Sequence, residues 1–402
     1  MKIRVYFISI LVILMSCSRK HFSYKKENAS SARNIDSSLI LELSHDNKKN
    51  NYYPEAFSYT VLPQELYITA FSELKKMLED SLPVSIKRAV FITENTYLEN
   101  IINYDAYCKY VSSLAKIAQA WSKKNPLQKY KYPDSVNTAL NGAIFKTLTD
   151  TVRDNKGNIL NLPYVYDFND CFARQDWTNM FVTKLLSTHK GNCHSLPFLY
   201  KLVAEELRVN VWLSFTPNHI YLRNRCKKTG WYNTEMTNAM FPTEAWVMTS
   251  GYVSVNSIVS GIYMDTLGLK QTIVVCLNDL AKGYMRKFTK PDLDFVLKCC
   301  DLGLKYYPNY VELLLLKAET HNKIYHSYIA KYGLNVQSPN DPHAPVLKYH
   351  LEQMDKTYDL LAKYDYREIP EEMFNEWMRS LENNKEKYED KKASEIFKPK
   401  QK

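Results

Sequence analysis

The sequence predicts an α+β protein in which a helix-and-strand segment is set between two helical ones. Three changes of texture along the chain point to it. Apolar residues recur at three and four over residues 53–136, which is the period of a helix face. Over residues 137–270 helical runs give way to successive strand-like runs, the order of an α+β domain. Residues 271–402 return to the helical period. At 402 residues the chain exceeds one average domain, and 45% hydrophobic with 24% charged residues can fill buried cores.

In the first segment Leu66, Ala70, Leu74, Met77 and Leu78 form one stripe, and Val111, Leu114, Ala115 and Ala118 form another. Pro63, Pro83 and Pro126 punctuate this helical N-terminal unit. The second segment opens with a helix at 138–149, followed by Asp154-Asn155-Lys156-Gly157-Asn158, a turn by composition. Residues 163–167 suit a loop or edge strand, and 180–187 and 193–207 suit helices. Runs at 209–215 and 219–223, then 231–236, have strand character. In the third segment Leu277, Leu280, Ala281 and Tyr284 precede Val296, Cys300, Gly303 and Pro308. With a three-residue insertion this resembles the spacing of a tetratricopeptide repeat, and a plain helical hairpin fits equally. A loop is expected at 333–345, and a Lys/Glu-rich solvated helix from Leu381.

The N-terminus reads as an address. Lys2 and Arg4 precede an apolar run at 5–15, far short of the roughly 20 residues that span a bilayer. It ends in Leu14-Met15-Ser16-Cys17, which resembles the lipobox of bacterial lipoproteins. That resemblance implies a signal peptide at 1–16, cleavage before Cys17 and acylation of Cys17. The protein would then be lipid-anchored in the bacterial cell envelope. Plain secretion is the alternative, and the small Ser16 directly before the cysteine favours lipidation. Residues 17–52, rich in Ser, Asn and Lys, are expected to form a flexible tether.

Several function classes are disfavoured. Only 10 Gly accompany 31 Tyr, and neither GxGxxG nor GxxxxGK[ST] occurs, so nucleotide chemistry lacks its phosphate cradle. The net charge of +10 is scattered rather than striped, so no nucleic-acid partner is expected. None of the eight cysteines forms a CxxC pair. Asp167, Asp170 and Asp176 match no calcium loop and suit loop and cap roles. No metal and no cofactor are expected.

Gly191-Asn192-Cys193-His194-Ser195-Leu196-Pro197 carries the chemistry. Asn192 suits an N-cap, which puts Cys193 in the first helical turn, where Pro197 is tolerated. The positive end of a helix favours thiolate, and a thiolate is the nucleophile. It needs an imidazole to carry its proton and a third group to orient that imidazole. His219 opens one strand and Glu235, 16 residues on, lies on the next, a suitable length for a hairpin that brings them together.

These motifs resemble the core of the transglutaminase-like superfamily, itself a papain-like arrangement. The run from Phe181 to Thr237 has a cysteine at a helix start, a histidine opening a later strand, and an acid four residues after Trp231. The resemblance implies catalytic roles for Cys193, His219 and Glu235, and bacterial relatives of this type carry a tetratricopeptide-like tail. Glu235 stands where the family usually has Asp, and Asn233, two residues earlier on the same strand face, is an alternative orienting group. Gln175 and Trp177 are possible second donors to an oxyanion. His194 is turned about 100° from Cys193 on a helix and has no base role. The implied activity is hydrolysis or acyl transfer on amide bonds of a protein or peptide substrate, through a thioester. The alternative is a catalytically silent scaffold whose C-terminal helices bind a protein partner.

If Cys17 carries the lipid, Cys17→Ser abolishes acyl labelling and moves the protein from the membrane pellet to the soluble fraction. Retention in the pellet after a salt wash would refute the anchor.

Overall fold

A computed structural model describes residues 62–333, 342–370, 372–374, 376–377, 387 and 389–397. The expected signal peptide, Cys17 and the tether lie outside the described residues, as do most of the loop after Gly333 and most of the charged stretch from Leu381. The described part is α+β, mostly helical with three small sheets. No helix among the described residues is long and apolar enough to cross a membrane.

The N-terminal helices are α1 (Pro63–Leu78), α2 (Ile86–Tyr97) and α3 (Tyr104–Lys124). Pro63 sits in the first turn of α1, where its missing N–H costs no hydrogen bond. Ala70, Leu74, Met77 and Leu78 are buried, with Tyr67 rather than the half-buried Leu66 completing the face, and Val111, Leu114, Ala115 and Ala118 of α3 are buried as their spacing predicts. Helix α4 (Ser135–Thr149) leads into the hairpin of β1 (Val152–Arg153) and β2 (Ile159–Asn161). Asp154 turns this hairpin by accepting from the amides of Lys156 and Asn158.

Strand β3 (Val165–Tyr166) runs parallel to β4 (Lys190–Gly191), with Tyr166 opposite Gly191. Between them lie a 3-10 turn (Trp177–Met180) and α5 (Val182–Thr188). After β4 comes α6 (Ser195–Leu207), then the antiparallel sheet β5 (Trp212–Thr216), β6 (His219–Cys226) and β7 (Gly230–Thr234). Strand β5 begins later than the expected residue 209. Arg208 takes a left-handed conformation to end α6, and the Val209 amide bonds back to Ala204, so those residues close the helix instead.

Two short helices, α7 (Glu244–Ser250) and α8 (Val255–Val259), precede α9 (Leu269–Lys287), α10 (Leu293–Tyr306), α11 (Val311–Tyr332) and α12 (Ala344–Lys363). Helix α13 (Lys391–Ile396) is the last. Helices α10 and α11 approach so closely at Gly303 that any Cβ there would collide with Leu313. Across α11 and α12, Nδ1 of His321 lies 2.8 Å from Nδ1 of His350, and burial pushes His321 down to about 4.

One hydrophobic cluster draws on all three sequence segments, from Tyr67 and Leu114 through Leu199 and Leu222 to Leu277 and Val296. Carboxylates tie the N-terminal helices to the rest. Glu205 of α6 accepts from the amides of Ile86 and Lys87 at 2.9 and 2.8 Å, serving first-turn N–H groups that have no partner within α2. Glu94 of α2 does the same for α5, accepting from Val182 and Thr183 at 2.7 and 2.8 Å.

Removing the first cap by Glu205→Ala should cost about 1–2 kcal/mol in urea unfolding. Glu206→Ala removes an outer bridge to Lys87 and an exposed hydrogen bond from Ser112 Oγ, and should cost less than about 1 kcal/mol. Equal losses for the two variants would show that Glu205 is not acting as a cap.

Candidate thiol site

The thiol is placed by backbone geometry. Ladder bonds from the Val165 and Asp167 amides to His189 and Gly191 carbonyls bring the chain up to Asn192. Asn192 is fully buried, and its Oδ1 accepts from the amides of His194 and Ser195 at 3.0 and 3.2 Å. The Asn192 amide in turn donates to Ser195 Oγ at 3.0 Å, a reciprocal cap, while its Nδ2 donates to the Cys171 carbonyl. Regular α6 starts at Ser195, so Cys193 lies in the turn that enters the helix rather than within its first turn. The capping itself falls to Asn192, as expected. A Cβ at Gly191 would collide with Ser195 Oγ, so only glycine leaves room for this cap.

Cys193 is half-buried, and its Sγ lies 3.9 Å from the Asn218 carbonyl. Pro217 and Asn218 form the two-residue turn between β5 and β6, with Asn218 at φ 57°. Asparagine tolerates that left-handed conformation. The turn delivers His219, next in the chain, to the thiol.

His219 and Glu235 are 4% and 2% exposed, and Nε2 lies 2.6 Å from Oε2. Glu235 Oε1 accepts from the Thr237 amide at 2.9 Å, and the Glu235 backbone exchanges two hydrogen bonds with Met240. Burial opposes charge on the imidazole, but Glu235 and the Cys193 thiol outweigh it and raise the His219 pKa above 6.5. Burial likewise opposes ionisation of Glu235, and His219 with the Thr237 bonds holds its pKa below 4.5. The ring's Nδ1 is buried and has no other hydrogen-bond partner, which leaves it for Cys193. Trp377 closes the far side, edge-on to the imidazole at 4.6 Å.

The structure thus brings Cys193, His219 and Glu235 together. Asn233 shares the strand face, but its Nδ2 donates to Pro242 O and Glu244 Oε2, and it is Glu235 that meets the imidazole. Trp231 is exposed, its ring between the Arg223 and Arg225 guanidinium groups at 5.4 and 5.6 Å. Gln175 is exposed, its amide bonded to Asp170. Trp177 packs with Ala173 and Phe181 beneath Arg286, a cluster separate from the main core. Asp170 also accepts from the Arg174 and Asp176 amides, a loop-shaping role. Among the described residues no group of three His, Cys, Asp or Glu side chains is placed to hold a metal ion.

His194 points away from the thiol. Its Nδ1 meets the Met180 carbonyl and its Nε2 meets Asp279 of α9, each at 2.9 Å. Burial disfavours its charge, but Asp279 more than compensates and raises its pKa. Burial pushes neighbouring Glu94 up to about 7 despite its bonds to Thr183 and Val182. Sequence reasoning missed Tyr166, Asn218, Asp279 and Trp377 around this site. Only Asn218, which follows Pro217 and directly precedes His219, carries a local signal.

No protein-family model, no curated protein and no solved structure matches the chain.

The buried pair makes stability depend on pH in a set window. His219 has a raised folded-state pKa, so its contribution is complete below 6.5 and is lost as pH climbs through the raised value. Glu235 has a lowered one, so its contribution is present above 4.5 and is lost as pH falls through the lowered value. Wild type should therefore exceed Glu235→Gln most, by about 3 kcal/mol, between those two pH values. A difference in urea unfolding that is flat from pH 4 to 10 would show that the two groups do not pair as ions.

Proposed function

We propose that the protein is a thiol enzyme of transglutaminase-like type that acts on amide bonds of a protein or peptide. The observation that carries the proposal is the buried 2.6 Å contact between His219 Nε2 and Glu235 Oε2, with the other imidazole nitrogen left to the half-buried Cys193. Glu235 holds the imidazole in the orientation in which it exchanges a proton with sulfur. With its proton already held on His219, the Cys193 sulfur adds as a thiolate to the amide carbon. The tetrahedral adduct then collapses, and His219 gives that proton to the departing amine. Water or a second amine resolves the thioester, with His219 taking its proton and the thiol regaining one. The N-terminal sequence supports attachment of this enzyme to the bacterial cell envelope through a lipid on Cys17.

A second reading has one observation in its favour. His219 is almost wholly enclosed, with Trp377 against it, as in a scaffold whose thiol fold no longer turns over and whose C-terminal helices bind a partner.

The two separate on reactivity. If Cys193 is a nucleophile, iodoacetamide at pH 7 should modify it on the order of tenfold faster than Cys171, whose thiol burial pushes up. His219→Ala should abolish that advantage, and Glu235→Gln should reduce it less because Glu235 acts through the ring. Rates come from peptide mass for each cysteine. A Cys193 that reacts like Cys108 and ignores His219→Ala would leave the scaffold standing.

A further inference from the structure

We propose that the Tyr166 hydroxyl is a donor to the oxyanion formed when Cys193 adds to a carbonyl, which makes Tyr166 a catalytic residue; this rests on the thiol-enzyme reading above. Addition to a carbonyl moves an electron pair onto oxygen, and a thiol site needs donors waiting where that charge appears. The two residues singled out for this from sequence have other surroundings, Gln175 in solvent and Trp177 beneath Arg286.

Tyr166 is placed by the parallel ladder. It stands opposite Gly191, two residues before Cys193, and the Asp167 amide fixes the register by donating to the Gly191 carbonyl at 2.7 Å. The side chain is 7% exposed, with Phe168 packed across its ring at 4.8 Å. Its hydroxyl finds no oxygen or nitrogen acceptor, and the group within its reach is the Cys193 thiol. Buried tyrosine hydroxyls without such an acceptor occur elsewhere in the fold too, as at Tyr164 and Tyr232, and what sets Tyr166 apart is its place against that thiol. The ionisable groups that the hydroxyl faces are the Cys193 and Cys171 thiols and the Glu235 carboxylate. Burial, with these groups, pushes the phenol well above its usual pKa, so it remains a neutral donor at any pH at which sulfur attacks. The Asn218 carbonyl beside Sγ is an acceptor and cannot take this part.

The resting site therefore holds a neutral donor against the reacting sulfur, a weak acceptor, and the reaction itself creates a far stronger one beside it. An interaction made only in the transition state accelerates the chemical step. In that step the S–C bond forms and the carbonyl π pair moves to oxygen. Tyr166 donates a hydrogen bond to that oxygen while keeping its proton. As the adduct collapses the pair returns, the leaving group departs with its electrons, and the phenol is unchanged.

Two probes of the same thiol separate this role from a structural one. p-Nitrophenyl acetate acylates sulfur through a tetrahedral oxyanion, whereas iodoacetamide alkylates it by displacement and forms none. Each rate is read on the high-pH plateau of its own profile, so any change in thiol ionisation drops out. In Tyr166→Phe the acylation plateau should fall on the order of a hundredfold while the alkylation plateau is unchanged. The unchanged alkylation also certifies a folded site, and Cys193→Ala gives the background for both. Equal acylation by variant and wild type overturns the proposal, and so does a parallel fall in both rates, which would mean that Tyr166 only shapes the site. A wild-type protein with no nitrophenolate burst at Cys193 overturns the thiol-enzyme reading itself, and this inference with it.

Discussion

The buried contact between His219 and Glu235 is the constraint around which the thiol site is arranged. Two ionisable groups removed from water are tolerated only when each is held at bonding distance and the remaining acceptor sites are served. The hairpin supplies the first condition by register. The Thr237 amide and the paired bonds to Met240 supply the second. Trp377 then covers the imidazole with a ring edge.

The sulfur is held by different means. Nothing grips the Cys193 side chain strongly, and its position follows from residues on either side. Asn192 is anchored through Cys171, His194 and Ser195, and the His194 ring is anchored through Met180 and Asp279. Cys193 thus sits between two anchored neighbours, with His219 and Tyr166 against its thiol. Because Asp279 belongs to α9, the C-terminal helices contribute directly to fixing the reactive turn.

Much of this could be read from sequence where the governing interactions are local. The stripes of α1 and α3 bury as their spacing predicts, and the Asn192 cap follows from residue type and position. The choice of Glu235 over Asn233, which shares its strand face, rested on the four-residue offset from Trp231. What escaped is joined through space. Asp279 is 85 residues from His194, and no periodicity relates Tyr166 to Cys193 until β3 pairs with β4. Helices α7 and α8 are seven and five residues long, too short to develop an amphipathic period. The start of β5 was misplaced because apolar residues serve a helix end and a strand equally well.

The helix caps close a circuit. The start of α2 is held by α6 through Glu205, the start of α5 by α2 through Glu94, and α5 leads through β4 into the cap that starts α6. The starts of α2 and α5 thus each depend on another helix already being formed, whereas α6 is capped by its own Asn192. Such mutual dependence turns separate segments into one cooperative unit, whose amides open together at close to the free energy of global unfolding rather than by local excursions. The reactive turn belongs to that unit. Its geometry is therefore protected by that unit as a whole, although the cysteine itself is only half-buried.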